Sequence, residues 1–228
     1  MLPTLPRLSA LTRLLATPAL LAALGIGCLG AALGLDFDRL QQALVSRFGT
    51  TQLPLLQEWR GLVDAGRGLS EREKVRRVND FFNQRIAFDD DYSVWRQSDY
   101  WATPVEFMGQ RAGDCEDFSI AKYYSLLELG VPLNKLRLVY VKATQQGPYG
   151  PVVQAHMVLA YYASPGADPL ILDNLDPSIQ PASRRGDLAP IFSFNGAGLW
   201  QGTGQQSSRS SLSRWQDLLA RARSEGFQ

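Results

Sequence analysis

The sequence of 228 residues contains only one histidine, His156, and only two cysteines, Cys28 and Cys115. A structural zinc site needs four cysteine or histidine ligands, and a catalytic zinc site needs three together with water. A zinc centre of this kind is therefore nearly excluded, and so is a framework of several disulfides. The charges also nearly balance, with 23 basic and 22 acidic residues and a net charge of +1. There is no basic surplus to favour binding to nucleic acid or to anionic lipid.

The sequence does contain enough apolar residues to build a core. Hydrophobic residues make up 45% and charged residues 20% of the chain, which argues against global disorder. The length suits one globular domain, or one domain with an anchor, rather than two full domains.

The N-terminus differs in composition from the remainder of the chain. Arg7 and Arg13 precede a charge-free run over residues 14–35, and no acidic residue comes before that run. This pattern is typical of a secretory signal peptide, and the run is also long enough to span a bilayer. Small residues suit cleavage after Gly34, whereas an uncleaved anchor and a buried core helix are the alternatives. We predict that residues 1–34 are a signal peptide or an N-terminal membrane anchor.

Export changes the interpretation of the cysteines. Removal of residues 1–34 would leave Cys115 as the only cysteine of the chain. A single unpaired thiol is unusual in an exported protein, because such proteins normally pair their cysteines. Cys115 is therefore either a buried, inert residue or a residue with a chemical role.

The first half of residues 35–228 has helical periodicity. Apolar residues recur at helical spacing over Phe37–Arg47 and over Leu53–Val63. Ser70 opens a further helix through a capping box with the glutamate three residues later, and this helix reaches Arg85. Residues 88–96 are predicted to form a loop, and the run Asp89–Asp91 within it is predicted to be solvated, with metal contact as the alternative.

The second half changes to the periodicity of strands. Asp114 begins a helix that runs to Leu129, where Gly130 ends it. Strands are then predicted over Leu136–Ala143, Val152–Tyr162 and Leu170–Leu172. Residues 195–213 are rich in Gly, Ser and Gln and are predicted to be a flexible loop, and a last helix covers residues 212–223. Helices followed by antiparallel strands predict an α+β fold.

Three residues lie on elements that suit a cysteine hydrolase. Cys115 sits in the first turn of a helix, where the dipole and the free N–H groups stabilise a thiolate and can serve as an oxyanion hole. His156 lies in the middle of a strand, and Asp173 follows the next strand. If those strands are neighbours, Asp173 can hold one ring nitrogen of His156 while the other nitrogen faces the thiol.

Each of these residues also has a structural interpretation. A helix cysteine is commonly a small buried apolar residue, a strand histidine commonly has a structural role, and an aspartate before Asn174 commonly forms a turn. Three carboxylates flank Cys115, and a buried, inert thiol would not tolerate them. Composition and spacing alone leave a cysteine hydrolase and the structural roles both open.

Four short segments carry a family resemblance: YWATPVEF at 100–107, GDCEDF at 113–118, HMVL at 156–159 and LILDNL at 170–175. Together they resemble the LapG-type periplasmic proteases, which are the bacterial transglutaminase-like cysteine proteinases. The resemblance covers roughly residues 35–185. It implies that residues 35–228 form a papain-like or transglutaminase-like domain, with N-terminal helices and the nucleophile's helix packed on an antiparallel β-sheet.

The resemblance also implies roles and partners. Cys115 would be the nucleophile, His156 the general base and acid, and Asp173 the residue that orients the histidine. The activity implied is a calcium-dependent periplasmic endopeptidase that cleaves the N-terminal region of a large surface adhesin at an Ala-Ala-like site. Such cleavage releases the adhesin and promotes biofilm dispersal. The implied partner is an inner-membrane cyclic di-GMP receptor of the LapD type that sequesters the protease, and no nucleic-acid partner is expected.

Asp114, Glu116 and Asp117 are the calcium ligands that we predict on this basis. Ca²⁺ takes six to eight oxygen ligands, so other carboxylates, carbonyls or waters must complete the shell. Without a cation these carboxylates would raise the pKa of the Cys115 thiol, and a bound ion would reverse that effect. The alternative is that acidic residues simply favour a helix N-terminus.

Two other classes of function stay open. Acyl transfer or deamidation at protein glutamines uses the same triad of residue types. A non-catalytic binding module of the same fold is the other class, although the intact Cys115, His156 and Asp173 favour an enzyme.

Overall fold

The computed structural model describes residues 35–204, 207–208 and 212–227. The predicted signal peptide or anchor, residues 1–34, lies outside the described residues and stays a prediction. Within the described ranges, no helix combines the length and the apolar character needed to cross a membrane.

The N-terminal half of the described chain is helical. Five helices come before the one that carries Cys115: α1 (Phe37–Phe48), α2 (Leu53–Gly66), α3 (Glu71–Arg85), α4 (Asp91–Trp95) and α5 (Pro104–Gln110). Helix α6 then spans Cys115–Glu128. Ser70 caps α3, because its hydroxyl accepts the backbone N–H of Glu73. The helices predicted from periodicity and capping are confirmed.

The strands form one short pair and one large sheet. The short pair is parallel and joins β1 (Ala87–Phe88) to β2 (Ala112–Gly113). The large sheet contains β3 (Leu136–Gly147), β4 (Gly150–Tyr161), β5 (Leu170–Leu172), β6 (Gln180–Pro181), β7 (Leu188–Asn195), β8 (Gly198–Gln201) and β9 (Ser207–Ser208). Its order is β6-β5-β4-β3-β7-β8-β9, and every neighbouring pair is antiparallel. Helix α7 (Ser213–Glu225) follows the sheet.

Two segments predicted as loops contain regular structure, so both predictions are wrong in that respect. Residues 88–96 include α4, whose first turn is capped by the Asp90 carboxylate. Residues 195–213 include β8 and β9, and Trp200 of β8 is only 9% exposed, with the Arg137 guanidinium 4.2 Å from its ring. Composition did not reveal these strands because pairing holds them, β8 with β7 and β9 with β8, rather than an apolar pattern of their own.

Helix α6 packs on one face of the large sheet, as predicted. Met157 and Leu159 of β4 belong to the main core on that face. Successive residues of a strand face opposite sides, so Val158 and Ala160 form a smaller cluster with Val139 of β3 on the other face. The α+β fold, with a helix that begins at Cys115 packed on an antiparallel sheet, is confirmed.

Helix α7 is attached to the segment that precedes α5. Arg221 of α7 donates to the backbone carbonyl of Trp101 at 2.6 Å and also pairs with the buried carboxylate of Glu106. The same carboxylate accepts hydrogen bonds from Arg47 of α1 and from the Tyr100 hydroxyl. One buried carboxylate thus joins α1, α5 and α7 through charge-assisted bonds, and it holds in place the residues that lead to α6.

Candidate active site

Cys115 is the first residue of α6, and Asp114 is its N-cap. The Asp114 side chain accepts the backbone N–H of Glu116 at 3.2 Å, which satisfies one of the free N–H groups of the helix start. The partly buried thiol donates to the Glu116 carboxylate at 2.8 Å, and the backbone N–H of Met157 on β4 faces the sulfur. The predicted position of Cys115 at a helix N-terminus is therefore confirmed.

The surroundings of Cys115 oppose ionisation of its thiol. Burial raises the pKa of the thiol well above its ordinary value, and the charges of Glu116 and Asp114 raise this pKa further. The N–H of Met157 acts in the opposite sense, as do the free N–H groups at a helix N-terminus. Burial and the neighbouring carboxylates thus favour the protonated thiol, and positive charge placed beside these carboxylates would favour the thiolate.

His156 and Asp173 are in direct contact. His156 lies on β4 and Asp173 follows β5, and the register that pairs Leu159 with Leu172 brings the two side chains together. Nε2 of His156 lies 2.8 Å from Oδ1 of Asp173, and both side chains are buried. The predicted proximity of these two strands is confirmed, and the contact leaves Nδ1 of the ring available to another partner.

Arg185 completes the buried group around Asp173. Its Nη2 donates to Oδ2 of Asp173 at 2.8 Å, and its Nε and Nη2 also bind Asp187. Burial raises the pKa of Asp173, but the hydrogen bond and charge of His156 and the bond from Arg185 outweigh burial and lower this pKa to about 2. Asp173 is therefore ionised at neutral pH. The sequence did not predict Arg185, because it lies in a loop that has no periodic pattern. The one available signal was that a buried aspartate beside a histidine needs a second, basic partner.

Cys115 is linked to the strand of His156 through the neighbouring residue Met157 and not through the imidazole itself. Among the described residues, Cys115 has no hydrogen bond to the ring of His156, and the thiol is turned toward Glu116. The sulfur instead faces the N–H of Met157, the residue that follows His156 in the chain. The three predicted residues thus form a bonded histidine–aspartate pair with a thiol beside the adjacent peptide unit.

A cluster of carboxylates lies beside the thiol. One oxygen from each of Asp91, Asp114 and Asp117 lies within 4.8 Å of the other two. Asp91 and Asp117 are buried, and Oδ1 of Asp91 and Oδ2 of Asp117 have no hydrogen-bond partner among the described residues. Their other oxygens accept the backbone N–H groups of Tyr100 at 2.5 Å and Ala102 at 2.7 Å. Carboxylates from two separate parts of the chain therefore converge.

The carboxylates of this cluster disfavour one another's ionisation. Burial raises the pKa of Asp91 to about 6. Burial and the charges of Glu116 and Asp117 raise the pKa of Asp114 to about 10. A Cβ added to Gly113 would lie 2.4 Å from Oδ2 of Asp117, so the absence of a side chain there makes room for that unpartnered oxygen. Converging carboxylate oxygens with free lone pairs suit a hard divalent cation such as Ca²⁺.

Asp91 corrects the prediction of a solvated aspartate run. It is 7% exposed, whereas Asp89 and Asp90 are exposed as expected. Glu116 does not share the cluster of Asp91 and belongs to a second group with Asp114 and the Cys115 thiol. The short helix that buries Asp91 leaves little trace in the sequence, and the only available signal was the acidic run itself.

Comparisons with known proteins agree with this geometry. Residues 66–186 match the family described as bacterial transglutaminase-like cysteine proteinase. The calcium-bound structure of LapG from Legionella pneumophila is 38% identical, with a TM-score of 0.69 and coverage of 81% of this chain and 98% of that chain. The EGTA-treated structure of the same protein is 36% identical, with a TM-score of 0.70 and coverage of 83% and 98%. A comparison with curated proteins found no match.

These matches extend well beyond the short motifs of the sequence. The family match includes α3 to β6 and therefore contains Cys115, His156 and Asp173. The likeness to LapG covers four-fifths of the chain, so the fold is transglutaminase-like and the protein is a LapG-like cysteine protease. The chain belongs to the bacterial transglutaminase-like cysteine proteinase family.

Proposed function

We propose that the protein is a periplasmic, calcium-dependent cysteine endopeptidase in which Cys115, His156 and Asp173 act together. The observation that carries this proposal is the buried contact of 2.8 Å between His156 and Asp173 on strands next to a thiol at a helix N-terminus. A histidine that serves only packing has no need of an ionised, arginine-bound carboxylate. A catalytic histidine needs one, because the carboxylate fixes its tautomer and stabilises the imidazolium.

The proposed mechanism follows from this arrangement. Asp173 keeps a proton on Nε2 of His156, so Nδ1 accepts the proton of the Cys115 thiol. The thiolate attacks the scissile carbonyl, and free N–H groups at the start of α6 stabilise the oxyanion. His156 returns the proton to the leaving amine as the C–N bond breaks. Water, deprotonated by the same imidazole, then hydrolyses the thioester and releases Cys115.

We infer that Ca²⁺ binds at Asp91, Asp114 and Asp117, with Glu116 beside them. The support comes from the converging carboxylates, from the two buried oxygens without partners, and from a related protein that is described both as calcium-bound and as EGTA-treated. The ion, when bound, supplies positive charge next to Cys115 and so favours its thiolate. Asp91 is the ligand that this proposal adds to the three predicted from the sequence.

The proposed substrate is the N-terminal region of a large surface adhesin, cleaved at an Ala-Ala-like site, so that its release promotes biofilm dispersal. The proposed partner is an inner-membrane cyclic di-GMP receptor of the LapD type. Family membership supports both proposals, and the charge-free segment at residues 14–35 supports a periplasmic location.

The test is incubation of the purified protein with the N-terminal region of an adhesin encoded by a neighbouring gene, with Ca²⁺ and with EGTA. We expect cleavage only with Ca²⁺, and none by Cys115→Ala, whose far-UV circular dichroism should match that of the wild type. Mass spectrometry of the products locates the site. Cleavage by Cys115→Ala would contradict the nucleophile, and full activity in EGTA would contradict the metal. Incorporation of an added amine into a glutamine peptide would instead identify acyl transfer.

A further inference from the structure

Strand β4 has an open edge immediately before His156. On one side β4 pairs with β3 along its whole length, but on the other side it pairs with β5 only at residues 159–161. Residues 151–155 are exposed, and no described strand lies on their second side. Strand β4, which carries His156, therefore pairs on one side only over the residues that precede His156.

The backbone groups that point into this edge can be identified. Along an antiparallel strand, alternate residues point their N–H and C=O groups away from a given neighbour. The Met157 carbonyl accepts the Ser119 hydroxyl at 3.1 Å, and its N–H faces the Cys115 thiol, so Met157 points away from β3 and toward α6. The N–H of Tyr162 donates to the carbonyl of Lys135, just before β3. Odd-numbered residues of β4 therefore point into the edge.

The register extends this alternation to Val153 and Ala155. The pairing of β3 with β4 continues without a bulge to the end of the hairpin. Thr144, opposite Val153, donates its N–H to the carbonyl of Asp187, on the other side of β3, so Thr144 and Val153 do not bond to each other. The N–H and C=O groups of Val153 and Ala155 consequently point into the open edge, where they have no partner in the described part of the chain.

This edge lacks most of the features that protect exposed strands. Residues 151–155 read PVVQA and contain no charge, and Val152 and Val153 are 53% and 60% exposed. Proteins usually block an open edge with lysines, bulges or a covering segment, because the edge pairs with any extended chain. Apart from Pro151 near the hairpin tip, β4 has none of these. An uncharged open edge is the surface on which peptides bind by strand addition.

We propose that the protein substrate binds as an added strand on this edge of β4, held by the backbone of Val153 and Ala155. The proposal rests on the proposed protease function and specifies how the substrate is held. The edge ends at Met157, whose groups contact α6, so the added strand must end there, beside Cys115. Because backbone groups make these contacts, recognition requires an extended, unfolded segment and depends little on the side chains along the strand.

A proline on the edge tests the hydrogen bonds directly. Val153→Pro removes an outward N–H without removing a bond to β3. For a synthetic peptide that spans the Ala-Ala site, we expect KM to rise by about threefold to tenfold, the worth of one peptide hydrogen bond, with kcat nearly unchanged. Gln146→Pro is the matched control, because Gln146 is exposed on the same hairpin and its N–H points to the opposite edge. An unchanged KM in a folded Val153→Pro would overturn the proposal.

Amide exchange gives a second measurement that needs neither cleavage nor proline. In calcium-loaded Cys115→Ala, the N–H groups of Val153 and Ala155 should exchange quickly, and those of Val152 and Gln154, which bond to β3, should exchange slowly. Saturating peptide should slow the first pair by about tenfold or more. Absence of this protection would reject strand addition even if the wild type cleaves. Protection without cleavage by the wild type would support the binding edge and reject the protease function.

Discussion

The two sides of the candidate site differ in whether their buried carboxylate oxygens have hydrogen-bond partners. On the histidine side both oxygens of Asp173 have buried partners, and the pKa of this carboxyl is lowered to about 2. On the acidic side Asp91 and Asp117 each keep a buried oxygen without a partner among the described residues, and the pKa of Asp114 is raised to about 10. Folding alone therefore prepares the proposed base, whereas the carboxylates beside the nucleophile keep free oxygens that the proposed cation would bind.

The largest effect is expected on the histidine side of the site. Asp173→Asn should lower kcat by about 10² to 10⁴, because an amide does not hold the imidazole in the required tautomer. The thermal shift on adding Ca²⁺ should persist, since Asp173 lies outside the acidic cluster. Steady-state kinetics and thermal melts measure the two effects, and Asp176→Asn is the control in the same turn. Wild-type kcat in Asp173→Asn would show that another group orients His156.

The second-largest effect is expected on the acidic side of the site. Asp91→Asn should abolish most of the stabilisation by Ca²⁺, which for a ligand at a hundred times its Kd is about 2.7 kcal/mol. Melting temperatures with Ca²⁺ and with EGTA measure this difference. Asp89→Asn, an exposed neighbour, should keep the full shift. A full shift in Asp91→Asn would remove Asp91 from the metal site.

A smaller effect is expected from Arg185→Met, which takes one partner from Asp173. The pKa of Asp173 is about 2 in the fold against an ordinary 3.8, so its contribution to stability is complete above pH 3.8 and is lost as pH falls through 2. The variant should lose about 1–3 kcal/mol at neutral pH, and this deficit should shrink below pH 3.8.

Urea unfolding at neutral and acidic pH measures that deficit. Arg184→Met is the matched control, because Arg184 is the exposed neighbour of Arg185. A deficit in Arg185→Met that does not change with pH would mean that Arg185 acts through packing rather than through the charge of Asp173.

The smallest effect at neutral pH is expected from Lys122→Met on α6. The Lys122 ammonium donates to the Asp173 carbonyl at 3.1 Å, and Asn83 also donates to that carbonyl, so loss of Lys122 leaves one donor. Burial lowers the pKa of Lys122 from 10.5 to about 7. The unfolded chain therefore binds more protons between these values, and wild-type stability should rise with pH from 7 upward relative to the variant, by roughly 1 kcal/mol per pH unit. Equal slopes in denaturant titrations at several pH values would contradict this.

The sequence predicted the parts of the site that depend on local patterns. Cys115 could be placed because an aspartate cap and a helical stretch follow a glycine. The contact between His156 and Asp173 could be predicted because consecutive strands joined by a short connection are commonly neighbours. Both inferences require only the types and the order of adjacent elements.

The remaining parts depend on partners that are distant in the chain. Asp91 looks like a member of a solvated acidic run, and it is buried only because α4 places it against the N–H of Tyr100 and near Asp117 of α6. Arg185 reaches Asp173 across 12 positions of chain that contain only the two-residue strand β6 and a single 3-10 turn. No local periodicity reports such contacts, because the tertiary fold creates them.

The contact between Arg221 and Trp101 has a consequence for biosynthesis. A ribosome delivers the chain from its N-terminus, so Cys115, His156 and Asp173 all emerge before α7. Until Arg221 arrives, the Trp101 carbonyl lacks this donor and Glu106 lacks one of its arginine partners. A nascent chain or fragment that ends before α7 thus contains the whole proposed triad but lacks the contacts of Arg221 with Trp101 and Glu106. The hydrogen bonds that hold the segment before α5 are therefore complete only after α7 has been synthesised.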